Sequence, residues 1–408
     1  MNVLVLNAGS SSFKASLYRL TEGNLPIDPA VPVWTGKIEW KSSELAVISA
    51  KAGDDLEAKA ERVSVDRSTD IHDLLSWIWS GKTQVIDRIE EIEIVGHRVV
   101  HGGDKYHQPI LIDAEVKAEI DRLAIYAPLH NPANLMGIKI VESLAASIPQ
   151  IAVFDTAFYG DLPEVAYVYP VPYEWLERGM RKYGFHGISH QYCTQRAAKL
   201  IGRDLKELRA ICCHLGNGCS LTAVKFGRCI ETTMGFTPLD GLMMGTRCGS
   251  IDPGIILHLL REEEYSVTEL DHILNFESGL LGVSGVSNDL REIDKAIAAD
   301  NPRAKLAVDI YIDRLAAKIG SLLPNLGGVD MLIFTGGVGE NHPGIRAAVA
   351  AKLAFLGVEI DPTLNIQVTS DRDLATERSQ VRVLAIHTQE EWQIATICLQ
   401  HSRSFCDR

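Results

Sequence analysis

Short apolar runs and helical patterns alternate along the whole chain. Four apolar runs have the length of a strand, and a polar or glycine-rich segment follows each of them: residues 3–6, 151–154, 210–214 and 331–334. Four segments carry apolar residues at helical spacing: residues 132–146, 189–201, 253–261 and 343–356. Strand-length runs that alternate with helical patterns are typical of α/β proteins. We therefore predict an α/β fold.

Two of the predicted helices carry recognisable start signals. Asp252 stands before Pro253, and the other helix begins just after Asn341, with Pro343 at its start. An Asp or Asn N-cap followed by proline in the first turn is a common helix start, because the amide that proline lacks would have no partner there. Gly357 follows the second helix, and glycine is the usual residue after a helix end.

Two segments share a pattern of strand, tight polar turn and second strand, namely residues 3–18 and 210–224. Aligning Ser12 with Ser220 places SSSFKA beside GCSLTA. Small-residue turns recur in α/β proteins of every kind, and on this pattern alone that interpretation is favoured. The alternative is a duplicated domain in which each half contributes one phosphate-binding hairpin.

The length and charge of the chain narrow its class. A chain of 408 residues exceeds what one hydrophobic core usually serves, so we expect two domains. With 53 acidic residues against 40 lysines and arginines, the formal net charge of −13 argues against a nucleic-acid partner, which needs a basic surface. The first apolar run is too short for a signal peptide or a membrane span, so we expect a cytoplasmic protein without a membrane partner.

The eight cysteines lack C-x-x-C spacing, and we expect them to be free thiols. The adjacent Cys212 and Cys213 lie on a predicted strand, where neighbouring side chains point to opposite faces. A disulfide or zinc framework is therefore the less favoured interpretation.

One nucleotide-binding signal is misleading. Residues 76–83, SWIWSGKT, end like a Walker A loop, but Ser76 replaces its first glycine. Trp77, Ile78 and Trp79 would then occupy a loop whose backbone must wrap phosphates closely. These bulky residues fit an apolar helix face better.

The segment NAGSSSFK is a better phosphate-site candidate. Asn7 and Gly9 suit a tight turn, and Ser10, Ser12 and Lys14 fall on one side of the following strand by period-two alternation. Hydroxyls, turn amides and an ammonium group would then converge where a phosphate could sit. An ordinary hairpin is the alternative.

Two further glycine turns follow apolar runs, HLGNGCS at 214–220 and FTGGVGENHPG at 334–344. Glycine lets the backbone approach a phosphate or nucleoside closely. The second turn leads into the helix predicted from 343, whose N-terminal amides favour an anion. Each turn alone is generic, but three in one chain favour a nucleotide ligand.

Several polar residues beside apolar segments are candidates for the chemistry. Arg98 lies on a likely strand, where a buried arginine needs an anionic partner, although a surface salt bridge is the alternative. Asp155 ends an apolar run, where ligand sites of open α/β sheets lie. His186 and His190 have a spacing that also suits metal ligands, but without a third ligand we favour anion-binding or structural roles. Arg247 lies in a glycine-flanked loop suited to a mobile anion. We interpret three other histidines as structural: His97, His101 and His107.

Nine motifs, in order along the chain, resemble the acetokinase family of acetate kinases over about residues 3–395. They are NAGSSSFK, GHRVVHGG, PLHNP, FDTAF, YGFHGISH, HLGNG, TPLDGLMMGTR, GGVGEN and the terminal QEE. The resemblance implies an actin-like (ribonuclease H-like) α/β fold of two duplicated domains around a catalytic cleft, and a homodimer. In the family the last helix returns to the first domain. We therefore expect an N-terminal domain of 1–155 plus 392–408 and a nucleotide-binding C-terminal domain of 156–391.

The activity that the resemblance implies is reversible, Mg²⁺-dependent transfer of the ATP γ-phosphoryl group to acetate. The products are acetyl phosphate and ADP, formed by direct in-line transfer, and Mn²⁺ is the alternative metal. A propionate or butyrate kinase of the same family is the first alternative, and a hydroxyl-directed kinase of the same superfold is the second. An ATP-driven binding protein on this scaffold would need a peptide-binding domain, for which no residues remain.

The resemblance also implies roles, carried over by position. Arg98 and Arg247 would hold the carboxylate and the moving phosphoryl group, His186 would stabilise the transition state, and Asp155 matches the family's essential acidic residue. The match to the magnesium site covers Asn7 and Glu390. The match to ATP-binding residues covers Ser10, Ser12, Lys14, His214, Leu215, Gly216, Asn217, Gly218, Asp289, Leu290, Arg291, Gly337, Val338, Gly339, Glu340 and Asn341. The match to the acetate site covers Arg98, Val100, Leu129, His130, Phe185 and Pro238.

The chain departs from the family pattern at a few flanking positions. The family's usual threonine is Ile188 here, its usual serine and aspartate after the loop arginine are Cys248 and Ser250, and its PTNEE is HTQEE at 387–391. We expect these departures to affect the tuning of the activity and its response to pH, and not the type of reaction.

Overall fold

The structure is a computed structural model that describes residues 1–9, 12–21, 25–26, 28–41, 45–128, 130–263, 265–366 and 368–406, with side chains to residue 402. Its strands are β1 Asn2–Ala8, β2 Ser12–Arg19, β3 Trp34–Trp40, β4 Leu45–Ala52, β5 Leu56–Val63, β6 Ile94–Val99, β7 Ile110–Leu111, β8 Gln150–Phe154, β9 Arg209–Leu215, β10 Cys219–Lys225, β11 Arg228–Thr232, β12 Met331–Thr335, β13 Arg372–Asp373 and β14 Arg382–Ala385. Its helices are α1 Arg67–Ser76, α2 Ala114–Arg122, α3 Asn131–Leu144, α4 Glu164–Tyr167, α5 Glu174–Glu177, α6 Gly187–Leu200, α7 Pro253–Glu262, α8 Val267–His272, α9 Gly279–Ser284, α10 Leu290–Ala298, α11 Pro302–Leu326, α12 Gly336–Asn341, α13 Pro343–Lys352, α14 Pro362–Ile366 and α15 Glu390–Cys406.

The chain divides into two units. The first holds Met1–Gly160 and Gln389–Arg408, and the second holds Asp161–Thr388. The domain boundaries expected from the family resemblance, after 155 and after 391, stay a proposal.

Among the described residues of the first unit, eight strands form one sheet in the order β5-β4-β3-β2-β1-β6-β8-β7. The five strands from β1 to β5 pair antiparallel in succession, whereas β1, β6 and β8 run parallel. The core lies where this sheet packs against α1 and α3, and its largest buried side chains include Phe13, Trp34 and Leu74. The carboxyl ends of the parallel strands therefore meet at one edge, where functional side chains can converge.

In the part of the second unit that the structure describes, six strands form a sheet in the order β11-β10-β9-β12-β14-β13. The pairs β9–β10, β10–β11 and β13–β14 are antiparallel, and β9, β12 and β14 run parallel. The first unit repeats this order and these directions in β3-β2-β1-β6-β8-β7. The predicted α/β fold with two duplicated halves is confirmed.

The predicted alignment of Ser12 with Ser220 is two positions off. In the first unit Asn7 pairs with Lys14 on β2, and in the second unit His214 pairs with Ser220 on β10. Asn7 and His214 hold equivalent places, because each is the last residue of its strand to pair with the neighbouring parallel strand. Ser220 therefore corresponds to Lys14, because the paired residues are six positions apart in the second unit and seven positions apart in the first.

The predicted strands lie within β1, β8, β9 and β12, and the predicted helices correspond to α3, α6, α7 and α13. The end predicted for the last of these helices is wrong, because α13 stops at Lys352 and a 3₁₀ turn, Ala354–Leu356, follows it. Gly357 ends that turn with a φ of 77°. The N-cap of α13 is His342, whose ring accepts the amide of Ile345.

The Walker-like segment belongs to the core of the first unit and not to a phosphate loop. It begins where α1 ends, and Ile78 is fully buried while Trp77 and Trp79 pack against the same core. Trp34 Nε1 donates to the buried hydroxyl of Thr83 at 3.3 Å. The apolar interpretation of this segment is correct, although most of it follows the helix.

The C-terminal helix α15 lies directly on β1 and β6 of the first unit. A Cβ atom added to Gly96 on β6 would lie 2.6 Å from both Cys398 Sγ and Ile394 Cγ2 of α15. The rings of Tyr18 and Trp392 also meet, with their centroids 5.7 Å apart. Glycine at position 96 is therefore required for the close approach of the helix to the sheet.

We expect Gly96→Ala to lower the free energy of unfolding by about 2 kcal/mol, because the added methyl group overpacks the contact between β6 and α15. Gly320→Ala is the matched control. Nothing lies within 4 Å of a Cβ at Gly320 in α11, so alanine there should stabilise the protein by about 0.5–1 kcal/mol through helix propensity. Urea unfolding of both variants measures this difference, and equal effects would contradict the packing argument.

The seven cysteines whose side chains are described are free thiols, as predicted. Cys212 and Cys213 on β9 are both fully buried, and burial raises the pKa of each thiol. Among the described residues, no helix combines the length and the apolar character needed to cross a membrane.

Candidate active site

A buried ion pair joins the carboxyl ends of two parallel strands in the first unit. Arg98 lies on β6, and Asp155 directly follows β8. Arg98 Nε donates to Asp155 Oδ1 at 3.2 Å, and Nη2 of the same guanidinium donates to Asp155 Oδ2. Asp155 is 1% exposed, and burial raises its pKa while the charge of Arg98 opposes that change. The fork therefore holds the guanidinium in one orientation.

Two more predicted residues contact the same guanidinium. Arg98 Nη1 donates to Asn7 Oδ1 at 3.2 Å, and Glu390 Oε2 lies 3.9 Å from Arg98 Nε. Burial opposes the ionisation of Arg98, but the carboxylates of Asp155 and Glu390 raise its pKa above the ordinary value. The first unit thus brings four predicted residues together around one fixed cation.

Two buried asparagines of α3 hold the chain next to this cluster, and sequence reasoning missed them. Asn134 Oδ1 accepts the amide of Val100 at 3.1 Å, and its Nδ2 donates to Ala8 O at 2.7 Å. Asn131 Oδ1 accepts the amide of His101 at 3.1 Å, and its Nδ2 donates to His101 O at 3.2 Å. Two asparagines three apart at the start of an apolar helix were the available signal, because unpaired amides are costly in a buried face.

In the second unit, His186 has a backbone conformation that residues other than glycine rarely adopt. It caps α6 in the left-handed region, with φ 59° and ψ 25°. Its Nδ1 lies 2.9 Å from Ser220 Oγ, and its ring stacks on His214 with centroids 4.3 Å apart. A Cβ added to Gly218 would lie 3.3 Å from His186 Nε2 and 3.4 Å from Arg247 Nη1. His186 and Arg247 therefore converge on the turn after β9.

Arg247 carries a positive charge that no carboxylate in the described part of the chain pairs with. Its Nη1 donates to Pro238 O at 3.2 Å and lies 3.9 Å from Met244 Sδ. Burial lowers the pKa of this guanidinium, although an arginine remains ionised at neutral pH. A half-buried cation without a counter-charge suits an anionic ligand.

The loop that carries Arg247 is tied to a π-helical turn, Ile273–Glu277. Thr246 Oγ1 donates to Asn275 O at 2.8 Å, and the amide of Cys248 donates to Leu274 O at 3.1 Å. Such π-helical turns are rare and occur frequently at functional sites. Contacts on both sides of Arg247 thus fix the loop backbone while its side chain stays available.

A cavity of about 520 Å³ in the second unit gathers many of the residues matched to ATP. A volume of this size fits a small-molecule ligand. The predicted residues that line it are Gly216, Asn217, Asp289, Leu290, Arg291, Gly337, Val338 and Asn341. Further lining residues that the sequence did not indicate are Leu280, Asn288, Tyr311 and His342.

Two other residues matched to ATP, Gly339 and Glu340, belong to α12, the helix that contributes Gly337, Val338 and Asn341 to the cavity. Glu340 Oε1 accepts the amides of Gly336 at 2.9 Å and Thr388 at 3.0 Å. A Cβ at Gly336 would lie 2.8 Å from Leu215 O, so only glycine lets α12 start this close to β9. Arg346, which is 1% exposed, donates to Gly339 O and Glu340 O at 2.8 Å each.

Several predicted residues lie outside these clusters. Lys14 is exposed on β2 and shares a face of the strand with Ser12, whereas the buried Phe13 between them is on the opposite face. Val100 is buried in the first unit, and Phe185 is buried in the second. His130, in the first unit, precedes α3. Ser10 and Leu129 lie outside the described residues.

The arrangement of possible ligand atoms indicates where a metal ion could bind. Among the described residues, no three His, Cys, Asp or Glu side chains form a group that could hold a metal ion. The spacing of His186 and His190 therefore does not mark a metal site in that part of the chain, because Ser220 Oγ lies between them at 2.9 Å and 2.7 Å. Asn7 and Glu390 instead offer oxygen atoms next to Arg98, and Mg²⁺ prefers one or two such ligands together with water and substrate phosphates.

Comparison with known protein families matches residues 2–396 to the acetokinase family. The chain belongs to the acetokinase family. The acetate kinase of Cyanothece sp. is 57% identical over 402 residues, which cover 98% of each chain. The acetate kinase of Gloeobacter violaceus is 56% identical over 405 residues, which cover 99% of this chain and 100% of that one.

Solved structures of acetokinase-family proteins share the fold. The acetate kinase of Porphyromonas gingivalis is 38% identical with a TM-score of 0.88, over 97% of this chain and 98% of that chain. A propionate kinase from Francisella tularensis is also 38% identical, with a TM-score of 0.86 and the same coverage. The mixed α/β fold with two sheets is therefore that of acetate kinases, which is the actin-like fold predicted from the motifs.

The positions that depart from the acetokinase pattern fit their surroundings. Ile188 is 2% exposed on the buried face of α6. Ser250 Oγ donates to Asp240 Oδ1 at 2.6 Å, which closes the Arg247 loop. Cys248 lines a separate cavity of about 400 Å³.

Proposed function

We propose that this chain catalyses the reversible transfer of the ATP γ-phosphoryl group to acetate, with acetyl phosphate and ADP as products. The observation that carries this proposal is Arg247, a half-buried cation without a carboxylate partner in the described residues, beside His186 at the turn after β9. The relatives named acetate kinase, at 51–57% identity over nearly the whole chain, support the same reaction.

A carboxylate acceptor fits these side chains better than a hydroxyl acceptor. A carboxylic acid with a pKa near ~4 is already ionised at neutral pH, so it attacks phosphorus without a general base. The obstacle is charge, because one anion must approach another. Arg98 and Arg247 bind and orient the carboxylate and the phosphoryl oxygens, and His186 donates to the charge that spreads in the transition state. The phosphoryl group then passes directly in line.

Asp155 has a positioning role in this reaction. It accepts from two nitrogen atoms of Arg98 and is almost fully buried, so it orients the guanidinium and takes no proton from acetate. An ionised substrate offers no proton to remove, which is why a base is not required.

We assign the adenine nucleotide to the cavity of about 520 Å³ beside α12. The turn at Gly216 and the turn at Gly337 let the backbone approach the phosphates, and Arg291 stays exposed at the rim, held by Asp289. Lys14, Ser10 and Ser12 remain candidates for phosphate contacts from the first unit.

The residues present also fit the expected divalent cation. Asn7 and Glu390 would hold Mg²⁺, or Mn²⁺ as the alternative, through their side-chain oxygens. When bound, the metal supplies positive charge that neutralises the phosphate oxygens of the nucleotide. We place the reaction in the cytoplasm, where ATP is available as the phosphoryl donor.

Acetate is the favoured acceptor, and propionate or butyrate is the alternative. The family resemblance assigns the acetate methyl group to Val100, Leu129, Phe185 and Pro238, and it adds His130 to the residues that bind the substrate. A hydrophobic pocket discriminates one methylene by only about 1–3 kcal/mol, so propionate should react more slowly rather than not at all. The 38% identity to a propionate kinase supports propionate as the alternative acceptor.

Phosphorus NMR with Mg-ATP tests the proposal directly. Acetate, propionate, butyrate and glycerol are supplied in separate samples. We expect an acyl-phosphate resonance with acetate, weaker signals with the longer acids and none with glycerol. Phosphorylated glycerol or bare ATP hydrolysis, without any acyl phosphate, would overturn the carboxylate assignment.

We also propose a homodimer whose contact includes α7. No residue of this helix is buried, although Ile255 is 49% and Leu257 is 50% exposed and both are apolar. A second copy of the chain is the occupant that the family resemblance implies. Light scattering should show a dimer that Ile255→Glu converts to monomer, while Leu306→Glu, at an apolar position that is 51% exposed on α11, leaves it intact. A monomeric unmodified protein would overturn this assignment.

A further inference from the structure

Ser220 lies between two histidines, of which only His186 takes part in the proposed reaction. Its Oγ is 2.9 Å from Nδ1 of His186 and 2.7 Å from Nε2 of His190. Ser220 and His190 are both 0% exposed. Ser220 Oγ has no third hydrogen-bond partner among the described residues, so its single hydrogen donates to one of these nitrogens and its oxygen accepts from the other.

The surroundings of His190 decide the direction of the two hydrogen bonds. Burial, together with the neighbouring ring of His214, lowers the pKa of His190 well below its ordinary value, so this imidazole is neutral. Its Nδ1 is buried and has no hydrogen-bond partner among the described residues. A proton on Nδ1 would be a buried donor without an acceptor, and such orphaned N–H groups are rarer in proteins than orphaned acceptors. The proton of His190 therefore belongs on Nε2, where it points at Ser220.

The direction of the hydrogen bond between His190 and Ser220 also determines which nitrogen of His186 is protonated. Because Ser220 Oγ accepts from His190 Nε2, its own hydrogen is free to donate to His186 Nδ1. Nδ1 of His186 is then an acceptor, so the proton that this ring carries sits on Nε2. That nitrogen faces the turn at Gly218, which the guanidinium of Arg247 also approaches.

We infer that Ser220 and His190 are positioning residues that fix His186 in the Nε2–H tautomer, so that it presents a hydrogen-bond donor and not a lone pair to the phosphoryl group. This inference rests on the proposed function, and it explains why Nε2 of His186 is a hydrogen-bond donor. A lone pair on Nε2 would repel phosphoryl oxygens, whereas an N–H group favours the charge that develops on them. A neighbour that sets the tautomer of a functional histidine is a known device in other sites.

The left-handed backbone of His186 adds an independent geometric argument. Two histidines four apart lie on one face of a helix, and His186 is the N-cap while His190 lies one turn inside α6. The conformation at φ 59° brings both rings to the same hydroxyl on β10. A strained residue that persists at such a point indicates a constraint from its surroundings.

Nitrogen-15 NMR of protein labelled on its histidine rings tests the inference without any turnover. Two-bond ¹H–¹⁵N correlations distinguish a protonated ring nitrogen from an unprotonated one, and the signals of His186 are those lost in His186→Gln. At neutral pH we expect His186 to show Nε2 protonated and Nδ1 unprotonated. The opposite tautomer in the unmodified protein would overturn the inference, whether or not acetate is the substrate.

The Ser220→Ala variant tests the functional consequence, with Thr222→Val as the matched control. Thr222 is a buried hydroxyl residue two positions along β10, outside this group of three side chains. In Ser220→Ala we expect mixed tautomers of His186 and a kcat at least about tenfold lower, with KM values within about twofold. The control should keep the tautomer and most of the kcat. Equal kcat losses in the two variants, or a Ser220→Ala protein with an unchanged tautomer, would overturn the inference.

Discussion

An Arg247→Ala variant is expected to lose about 1000-fold in kcat while its fold is retained. The size follows from the loss of a donor that acts on developing phosphoryl charge, for which single removals cost about 10²–10³-fold. The fold should persist because, among the described residues, the guanidinium donates only to Pro238 O and Met244 Sδ. The measurement is steady-state formation of acetyl phosphate, with circular dichroism as the check on folding.

Two further variants make this result specific to Arg247. Arg247→Lys keeps the charge but loses the fork, and should recover only part of the rate because a lysine binds phosphate as a point charge. Arg228→Ala removes an exposed arginine on β11 and should keep full activity. Normal turnover in Arg247→Ala would show that the phosphoryl charge is neutralised elsewhere.

The Arg98–Asp155 pair is expected to give the largest stability effect, together with a loss of activity of about 1000-fold. Asp155 is 1% exposed, so Arg98→Met leaves a buried carboxylate without its partner. We expect this variant to lose about 3 kcal/mol of unfolding free energy, as is usual when one member of a buried pair is removed. Arg98→Met with Asp155→Leu should lose less than Arg98→Met alone, because no buried charge then remains.

The dependence of this effect on pH has a definite sign. Burial raises the pKa of Asp155 to about 6 in the folded protein, so its protonated form is favoured there relative to the unfolded chain. Stability from this group is present below the unfolded pKa and is lost as the pH rises through the folded pKa. Without Arg98 the carboxylate is still harder to ionise, so the loss in Arg98→Met should be larger at pH 8 than at pH 5.

Urea unfolding of the single and double variants, without nucleotide or metal, measures these free energies. The exposed pair of Lys305 with Asp309 on α11 is the control, because its two side chains are 65% and 54% exposed. Replacing Lys305 with methionine should change stability by less than about 0.5 kcal/mol. Additive losses in the Arg98 and Asp155 cycle would show that the two groups are not coupled.

Some positions of the site could be predicted because their signals are local. Asp155 follows an apolar run directly, and such runs place their next polar residue at the carboxyl end of a parallel strand. The glycine turns at 214–220 and 334–344 also marked backbone that lines the cavity of about 520 Å³. The misleading segment at 76–83 was recognised for the same reason, because three large apolar side chains do not fit a phosphate loop.

Other features depend on contacts between residues far apart in the sequence. Arg98 and Asp155 are 57 positions apart and meet only because β6 and β8 are neighbours in the sheet. Asn134 reaches Ala8, and Gly96 meets α15, for similar reasons. The order of strands in a sheet is not encoded in the local pattern of apolar residues, so these pairings could not be derived from it.

The sequence by itself determined the α/β class, the family and most of the residues that we propose to act on ligands, because periodicity, turn residues and motifs are properties of short segments. The tertiary structure decided how those residues are oriented. It showed that Asp155 holds Arg98, that Arg247 has no carboxylate partner among the described residues, and that Ser220 lies between two histidines. The physical reason is that hydrogen-bond direction and burial depend on which strands and helices are packed together, and only the folded chain fixes that packing.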